Sequence, residues 1–158
     1  MKQLKFIFFL SILFGAVSCD LTDEPEIEGV AIQEMTGEWW VAMSAGGSDF
    51  GYFLFTTYNT ASNSTSEMFL DDLHNFWDFK VRASINFDAK TFSGTDLTNL
   101  SYESSVTITN GTITMKSTES TGGNITDGIS FDLEFSDDAG TIYHGEGYRR
   151  TGFQEDEH

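Results

Sequence analysis

The sequence predicts an all-β fold: a single up-and-down antiparallel barrel of about eight strands, with a short helical turn before the first strand. Residues 77–87 and 129–135 alternate apolar and polar side chains, which places one face of a strand in a core and the other in water. No segment carries a sustained helical stripe. Clusters of Gly, Asn, Asp and Ser separate the apolar segments, as expected for strands joined by short loops.

Length and composition set the number of domains. The chain has 158 residues, of which 39% are hydrophobic and 15% aromatic, enough apolar mass for one folded domain. Its net charge of -17 would repel a phosphate backbone over most of the surface. We therefore expect one core and no nucleic-acid partner.

The first half of the chain contains the less regular elements. Residues 30–35 cover one or two turns and predict the short helix or turn. A weak alternation of Trp39, Val41 and Met43 predicts the first strand. Residues 50–58 are aromatic on both faces, which indicates that one face lies under a neighbouring loop. Residues 59–75 predict either an irregular strand or a flap over the barrel mouth.

In the second half, turn residues dominate the predictions. Asn110-Gly111 lies between apolar alternations and predicts a two-residue hairpin, because both residues tolerate positive φ. Other turns are expected at residues 45–49, 88–90, 121–127 and 137–140. Residues 154–158 form an acidic tail, in which we expect His158 to be disordered.

The N-terminus has the pattern of an export signal. Lys2 and Lys5 precede an apolar run at residues 6–14, which is too short for a membrane span of about 20 residues. Ala16-Val17-Ser18-Cys19 resembles the lipobox of bacterial lipoproteins. That resemblance implies a signal peptide over residues 1–18, cleavage before Cys19 and lipidation of its sulfur. The alternative is an ordinary leader followed by a buried free cysteine.

Residues 19–29 form an acidic tether between the lipid anchor and a domain over residues 30–153. Several acyl chains would hold the protein permanently at a membrane. Acidic residues after a lipidated cysteine resemble the surface-export signal of some Gram-negative lipoproteins. We therefore expect an outer-membrane location. The sequence does not decide which face of that membrane carries the protein, and the cell surface is one of the two alternatives.

A short motif at the first strand carries a family resemblance. Gly37-Glu38-Trp39 resembles the G-x-W signature of lipocalins and other calycins. In those proteins an arginine of the last strand packs over the tryptophan, a cation–π contact of about 0.5–2 kcal/mol. The resemblance assigns this role to Arg149 or Arg150, and the sequence does not choose between them.

The chain as a whole, including the Tyr148-Arg149-Arg150 ending, resembles small Gram-negative lipoproteins described as lipid-binding putative hydrolases. This resemblance implies a calycin-like barrel and a lipid ligand.

The aromatic residues indicate where a ligand would bind. An eight-stranded barrel either is filled by its own side chains or encloses one small ligand, and the sequence leaves both alternatives open. The side chains predicted to face the lumen are Trp39, Val41, Tyr52, Leu54, Phe79, Val81, Ile85, Phe131, Leu133 and Phe135.

Catalytic chemistry has weaker support. His74 follows Asp71-Asp72, and His144 and Glu146 share one strand face, but no nucleophile is identifiable beside either histidine. No sequence motif for a nucleophile elbow, a zinc protease or a dinucleotide site occurs. We expect no cofactor and no metal site, and a non-enzymatic role is favoured.

The sequence therefore predicts a monomeric, lipid-anchored protein that binds a small apolar or amphipathic molecule in its barrel. The first alternative is an interaction module with a solid barrel, whose loops at residues 59–75 or 121–127 recognise a protein or glycan through Tyr58, Phe69 or Phe76. The second is a hydrolase of lipid-like esters with His74 or His144 as base.

Overall fold

Residues 29–158 are described in a computed structural model of the chain. The predicted signal peptide, Cys19 and nearly all of the tether lie outside them. Within residues 29–158 no helix has the length and apolar character needed to cross a membrane.

Eight antiparallel strands follow one another around a closed barrel, each hydrogen-bonded to its neighbours in the chain, and β8 closes onto β1. The strands are β1 Gly37–Ala45, β2 Ser48–Asn59, β3 Glu67–Asp71, β4 Lys80–Asn86, β5 Thr91–Thr98, β6 Ser105–Glu119, β7 Ile125–Phe135 and β8 Tyr143–Arg149. Three short 3₁₀ turns, Gln33–Met35, Ser136–Asp138 and Gln154–Asp156, complete the secondary structure of these residues. The predicted all-β up-and-down barrel is confirmed.

The connections alternate between two ends of the barrel. We call the end where β1 begins the sealed end, because the turn Gln33–Met35 packs there with Met35 fully buried. We call the opposite end the aromatic end; it carries the loops at residues 46–47, 72–79, 99–104 and 136–142. The two ends are closed by different kinds of contact.

The predicted hairpin at Asn110-Gly111 is wrong. Both residues lie inside β6, which pairs continuously with β5 and β7 apart from shifts of register. Asn110 has φ of 56° at such a shift, and Gly111 lies so close to the Phe92 carbonyl that a side chain would collide with it. A β-bulge uses the positive φ that also suits a tight turn, so the dipeptide marks a bend in a long strand.

Two further boundaries differ from the prediction. The alternation at residues 77–87 is strand only over Lys80–Asn86, and its first three residues belong to the loop at 72–79. The segment at residues 59–75 contains the regular strand β3, and the part that lies over the barrel end comes after it.

The tail is ordered, contrary to the expectation for His158. Its imidazole stacks on the Tyr52 ring with centroids 3.9 Å apart and planes within 8°. Asp156 is fully buried and accepts hydrogen bonds from the Gly122 backbone at 2.7 Å and the Thr151 hydroxyl at 2.6 Å. These contacts fold the tail back against the outside of the barrel wall.

Candidate functional site

The barrel lumen is lined by inward-facing side chains of all eight strands, and most of the predicted positions are among them. Trp39, Val41, Phe79, Val81, Phe131, Leu133 and Phe135 are buried in one continuous core, and Ile85 packs against it partly buried.

Tyr52 and Leu54 are corrections to that set. On β2 the inward residues are Phe53, Phe55 and Thr57: Phe55 and Thr57 are buried, and Phe53 packs against the core. Side chains alternate along a strand, so Tyr52 and Leu54 face outward. Because this strand is apolar on both faces, its alternation does not indicate which face is inside, and a shift of one residue exchanges the faces.

The lumen is filled. Trp39, Val41, Phe55, Phe79 and Leu133 have no surface that a water molecule could touch, whereas a side chain lining an open cavity would keep some. Aromatic rings meet across the interior, with centroid separations of 5.9 Å for Phe55–Phe79 and 5.6 Å for Phe55–Phe131. A ligand therefore enters this barrel only by displacing side chains of the protein.

At the sealed end, Arg149 covers Trp39. The guanidinium carbon lies 4.5 Å from the Trp39 ring centroid. Arg149 also donates hydrogen bonds to the backbone carbonyls of Thr36 and Glu34 and, at 2.8 Å, to the Asp127 carboxylate. A side chain at Gly37 would collide with this guanidinium. The glycine and the tryptophan of the motif thus belong to one packing unit.

The tryptophan is also held from inside the barrel. Trp39 Nε1 donates to the Thr57 hydroxyl at 2.9 Å, and that hydroxyl donates to the Met35 carbonyl at 2.7 Å. These bonds tie β1, β2 and the first 3₁₀ turn together without leaving a buried donor unpaired.

Arg150 has a different role from Arg149. Its guanidinium lies outside the barrel and pairs with Glu157 at 2.8 Å and with Glu38 at 2.7 Å. The two carboxylates, Glu157 most strongly, raise the pKa of Arg150 further above its ordinary value. Between the two candidates, the structure places Arg149 over the tryptophan.

The aromatic end is closed by rings of a single loop. Phe76 contacts Phe53 at 5.1 Å and Tyr143 at 5.5 Å between centroids. Trp77 stacks on Phe135 at 4.8 Å with planes within 15°. Both side chains are only partly buried. We call residues 72–79 the lid loop, since its two rings lie over the lumen.

One carboxylate organises the lid loop. Asp72 is fully buried, and its two oxygens accept hydrogen bonds from five backbone N–H groups, those of His74, Phe76, Trp77, Asp78 and Phe79, at 2.6–3.1 Å. An acceptor of this kind has no signature in the sequence, because its partners come from the path of the loop.

The rim of the aromatic end pairs phenols with carboxylates. Tyr102 donates to Asp137 at 2.6 Å, and Tyr143 donates to Asp138 at 2.7 Å. The bond from Tyr102 lowers the pKa of Asp137. Burial, assisted by Asp138, raises the pKa of Tyr143 to about 12. The rim therefore carries fixed negative charge beside exposed rings such as Phe50.

The two histidines considered as bases lie in different elements, His74 in the lid loop and His144 on β8. His74 pairs with Asp78 in the exposed part of the lid loop, and this hydrogen bond raises the pKa of His74. His144 pairs with Asp132 at 2.7 Å on the outer face of the wall, where Glu146 is also exposed. Hydrogen bonds from Asn110 and then His144 lower the pKa of Asp132.

Neither pair is completed by a nucleophile. Within residues 29–158 no Ser or Thr hydroxyl is hydrogen-bonded to His74 or His144. In the same part of the chain, no three His, Cys, Asp or Glu side chains cluster as metal ligands would.

The loop residues of the interaction alternative are mostly engaged within the fold. Tyr58 and Phe69 lie 5.2 Å apart on the outer wall, with the Lys80 ammonium over both rings. Phe76 belongs to the lid loop. Residues 121–127 contact the tail through Gly122 and Asn124.

Together these features define a closed, up-and-down β-barrel: a filled apolar lumen, one end fixed by an arginine and the other covered by the rings of one loop. The chain belongs to the family described as lipid-binding putative hydrolase, whose model matches residues 24–154. No curated protein matches it.

Proposed function

We propose that this protein binds a small apolar or amphipathic lipid in its barrel, and that the lipid enters at the aromatic end by displacing Phe76 and Trp77. The family supports a lipid ligand. The observation that carries the route is the difference between the ends: one is fixed by a guanidinium and its hydrogen bonds, the other is closed by two half-buried rings.

The lid loop suits a movement of this kind. Leu73, His74 and Asp78 all have positive φ, at 52°, 62° and 57°, a conformation that costs free energy in residues other than glycine and collects at sites that change shape. Asp72 keeps the backbone of the loop together, so the rings of Phe76 and Trp77 can swing outward while the loop keeps its frame. An acyl chain would then occupy the space that the rings leave.

The energetics follow from apolar burial. A lipid chain gains about 25 cal/mol for each Å² of apolar surface removed from water. Displacing Phe76 and Trp77 exposes part of their apolar surface, which offsets some of this gain. Binding is favourable when the chain buries more apolar surface than the displaced rings expose. We therefore propose a ligand with at least one extended hydrocarbon chain.

We also propose that the protein has a membrane anchor. The lipobox-like sequence Ala16-Val17-Ser18-Cys19 supports lipidation of Cys19 and attachment to the outer membrane, with the calycin-like barrel carried on an acidic tether. In a Gram-negative host fed radiolabelled palmitate, we expect label in the full chain and none in Cys19→Ser. Label retained by the variant, or sedimentation of the lipidated protein with the inner membrane, would contradict this part.

Lipid binding is tested with Nile red, a neutral probe that the net charge of -17 does not repel. Its fluorescence should rise with the full chain and fall on addition of monooleoylglycerol. Phe76→Ala should bind the probe about tenfold more tightly, because the variant leaves an apolar cavity where the Phe76 ring was and the probe no longer has to displace that ring. Leu100→Ala is the matched control, since Leu100 is exposed on another loop at the same end.

Trp77 reports the route. Its emission should change when lipid binds, and the change should be absent in Trp77→Phe. Trp39 and Trp40 lie on β1 and not in the lid loop, so we expect their emission to stay the same. Probe binding that is equal in Phe76→Ala and Leu100→Ala would contradict entry at the aromatic end.

The filled lumen also supports the second candidate, a solid interaction module. In that case neither the full chain nor Phe76→Ala takes up Nile red or monooleoylglycerol.

A further inference from the structure

The outer wall of β1, β2 and β8 carries an aromatic surface apart from the core. Trp40, Tyr52 and Tyr148 project from three neighbouring strands, with Trp40 opposite Tyr148 in the ladder and Ala42 opposite Tyr52. Trp40 and Tyr148 are buried outside the core cluster, and Tyr52 is 38% exposed. We call these three residues the wall platform.

A ring of the protein itself lies on this platform. The His158 imidazole stacks on Tyr52 at 3.9 Å and meets the Trp40 ring edge-to-face at 5.4 Å. Its Nε2 is hydrogen-bonded to the Tyr148 hydroxyl at 2.8 Å. The platform therefore has the size and polarity to hold one flat ring with a hydrogen-bonding atom at its edge.

His158 leaves one polar group of the platform unsatisfied. Trp40 Nε1 is buried and has no hydrogen-bond partner, the one such side-chain atom within residues 29–158. A buried N–H without an acceptor costs free energy. A ligand that offers an oxygen there as well as a flat face would satisfy the platform better than the imidazole does.

The tail is fastened upstream of the ring. Asp156 accepts hydrogen bonds from Gly122, Asn124 and Thr151, and Glu157 pairs with Arg150. The ring of His158 can thus leave the platform while these contacts persist.

The electrostatic surroundings restrict the ligand. Ala42 pairs with Tyr52 on β2 and with Glu146 on β8, which places the Glu146 carboxylate close to the platform. Burial, together with Tyr148, Asp49 and Glu146, raises the pKa of the Tyr52 phenol. A phosphate or carboxylate ligand would be repelled. A neutral ring with an apolar face and several hydroxyl oxygens has the required properties, and sugar rings stack on aromatic side chains in this way.

We propose that the wall platform is a second binding site, independent of the lumen, for the ring of a neutral sugar, and that His158 occupies it until a sugar displaces the imidazole.

The test uses the full chain and cellohexaose, a neutral hexasaccharide, with the indole N–H signals in a ¹H–¹⁵N spectrum as readout. Trp40→Phe identifies the Trp40 signal. In His158→Ala, we expect cellohexaose to bind about tenfold more tightly than in the wild type, because a stacked ring no longer competes for the site, and to shift the Trp40 indole signal. His74→Ala, which removes an exposed histidine at the aromatic end, should bind as the wild type does.

Tyr52→Ala combined with His158→Ala should lose the binding while its Tm stays close to that of His158→Ala, since Tyr52 lies outside the core. The proposal is overturned if cellohexaose binds neither the wild type nor His158→Ala, if His158→Ala binds no more tightly than the wild type, or if binding survives loss of Tyr52. Binding of tetramethylammonium in place of the sugar would also overturn it and assign the platform to cations.

Discussion

The backbone N–H of Trp77 donates a hydrogen bond of 2.6 Å to the buried Asp72 side chain, so the residue whose ring stacks over the lumen is anchored through its backbone. Four other N–H groups of the lid loop share that carboxylate. The backbone of this loop is therefore fixed by one carboxylate, whereas its rings are held by ring contacts and, for Trp77, by a long hydrogen bond from Nε1 to Asp137 at 3.4 Å.

Asp72→Ala should lower the free energy of unfolding by about 3–5 kcal/mol, because it leaves several buried donors without an acceptor. Urea denaturation measures the loss, and hydrogen exchange of the amides at residues 74–79 should accelerate. Asp88→Ala, at an exposed carboxylate in the β4–β5 turn, should change stability by less than about 0.5 kcal/mol. Equal effects of the two variants would contradict the role of Asp72.

The sealed end gives a second prediction from the contrast between two neighbouring arginines. Arg149→Lys should cost about 2 kcal/mol, since lysine lacks the planar group that covers Trp39 and binds two carbonyls and a carboxylate at once. Arg150→Lys should cost less than about 1 kcal/mol, because its ion pairs are exposed. The midpoints of urea unfolding decide the comparison, and a larger loss for the Arg150 variant would refute it.

The strand count and barrel closure followed from alternation, because an apolar lumen imposes period two on every strand that lines it. Residues 129–135 show this directly: Ile129, Phe131, Leu133 and Phe135 are all buried. The same signal fails on β2, where Tyr52 is aromatic but faces outward, against His158 of the tail. No local pattern distinguishes a ring covered by a distant segment from a ring in a core.

The closing contacts lie beyond sequence patterns for a similar reason. The choice of Arg149 over Arg150 depends on which residue pairs with Trp39 across β1 and β8. The role of Asp72 depends on a loop that returns its own amides to one carboxylate. Both are properties of register and loop path, which are set by the whole barrel.

The tail should loosen in acid. Burial of Asp156 would raise its pKa, but hydrogen bonds from Ser120, Thr151, Asn124 and Gly122 outweigh burial and lower the pKa to about 2. The unfolded chain binds the proton first, near its ordinary pKa of about 3.9. The stabilisation is therefore complete above that pH and is lost as the pH falls toward 2.

Asp156→Asn measures this contribution. The difference in unfolding free energy between wild type and variant should be largest near pH 6 and should shrink as the pH falls below about 4. The effects of the carboxylates that both proteins share cancel in this difference. A difference that is constant from pH 6 to pH 2.5 would contradict the lowered pKa.

Tyr143 predicts the opposite response in alkali. Its pKa of about 12 lies above the value of about 10 for an unfolded tyrosine, so the unfolded chain loses the proton first as the pH rises. The stabilisation from this phenol is complete below about pH 10 and is lost as the pH rises through 12. After a rapid pH jump, phenolate absorbance at 295 nm should show a tyrosine titrating near 12 that is absent from Tyr143→Phe. If the phenol missing from the variant titrates near 10, then Tyr143 is not buried against Asp138, and the rim of the aromatic end is more open than the contacts of Phe76 and Trp77 imply.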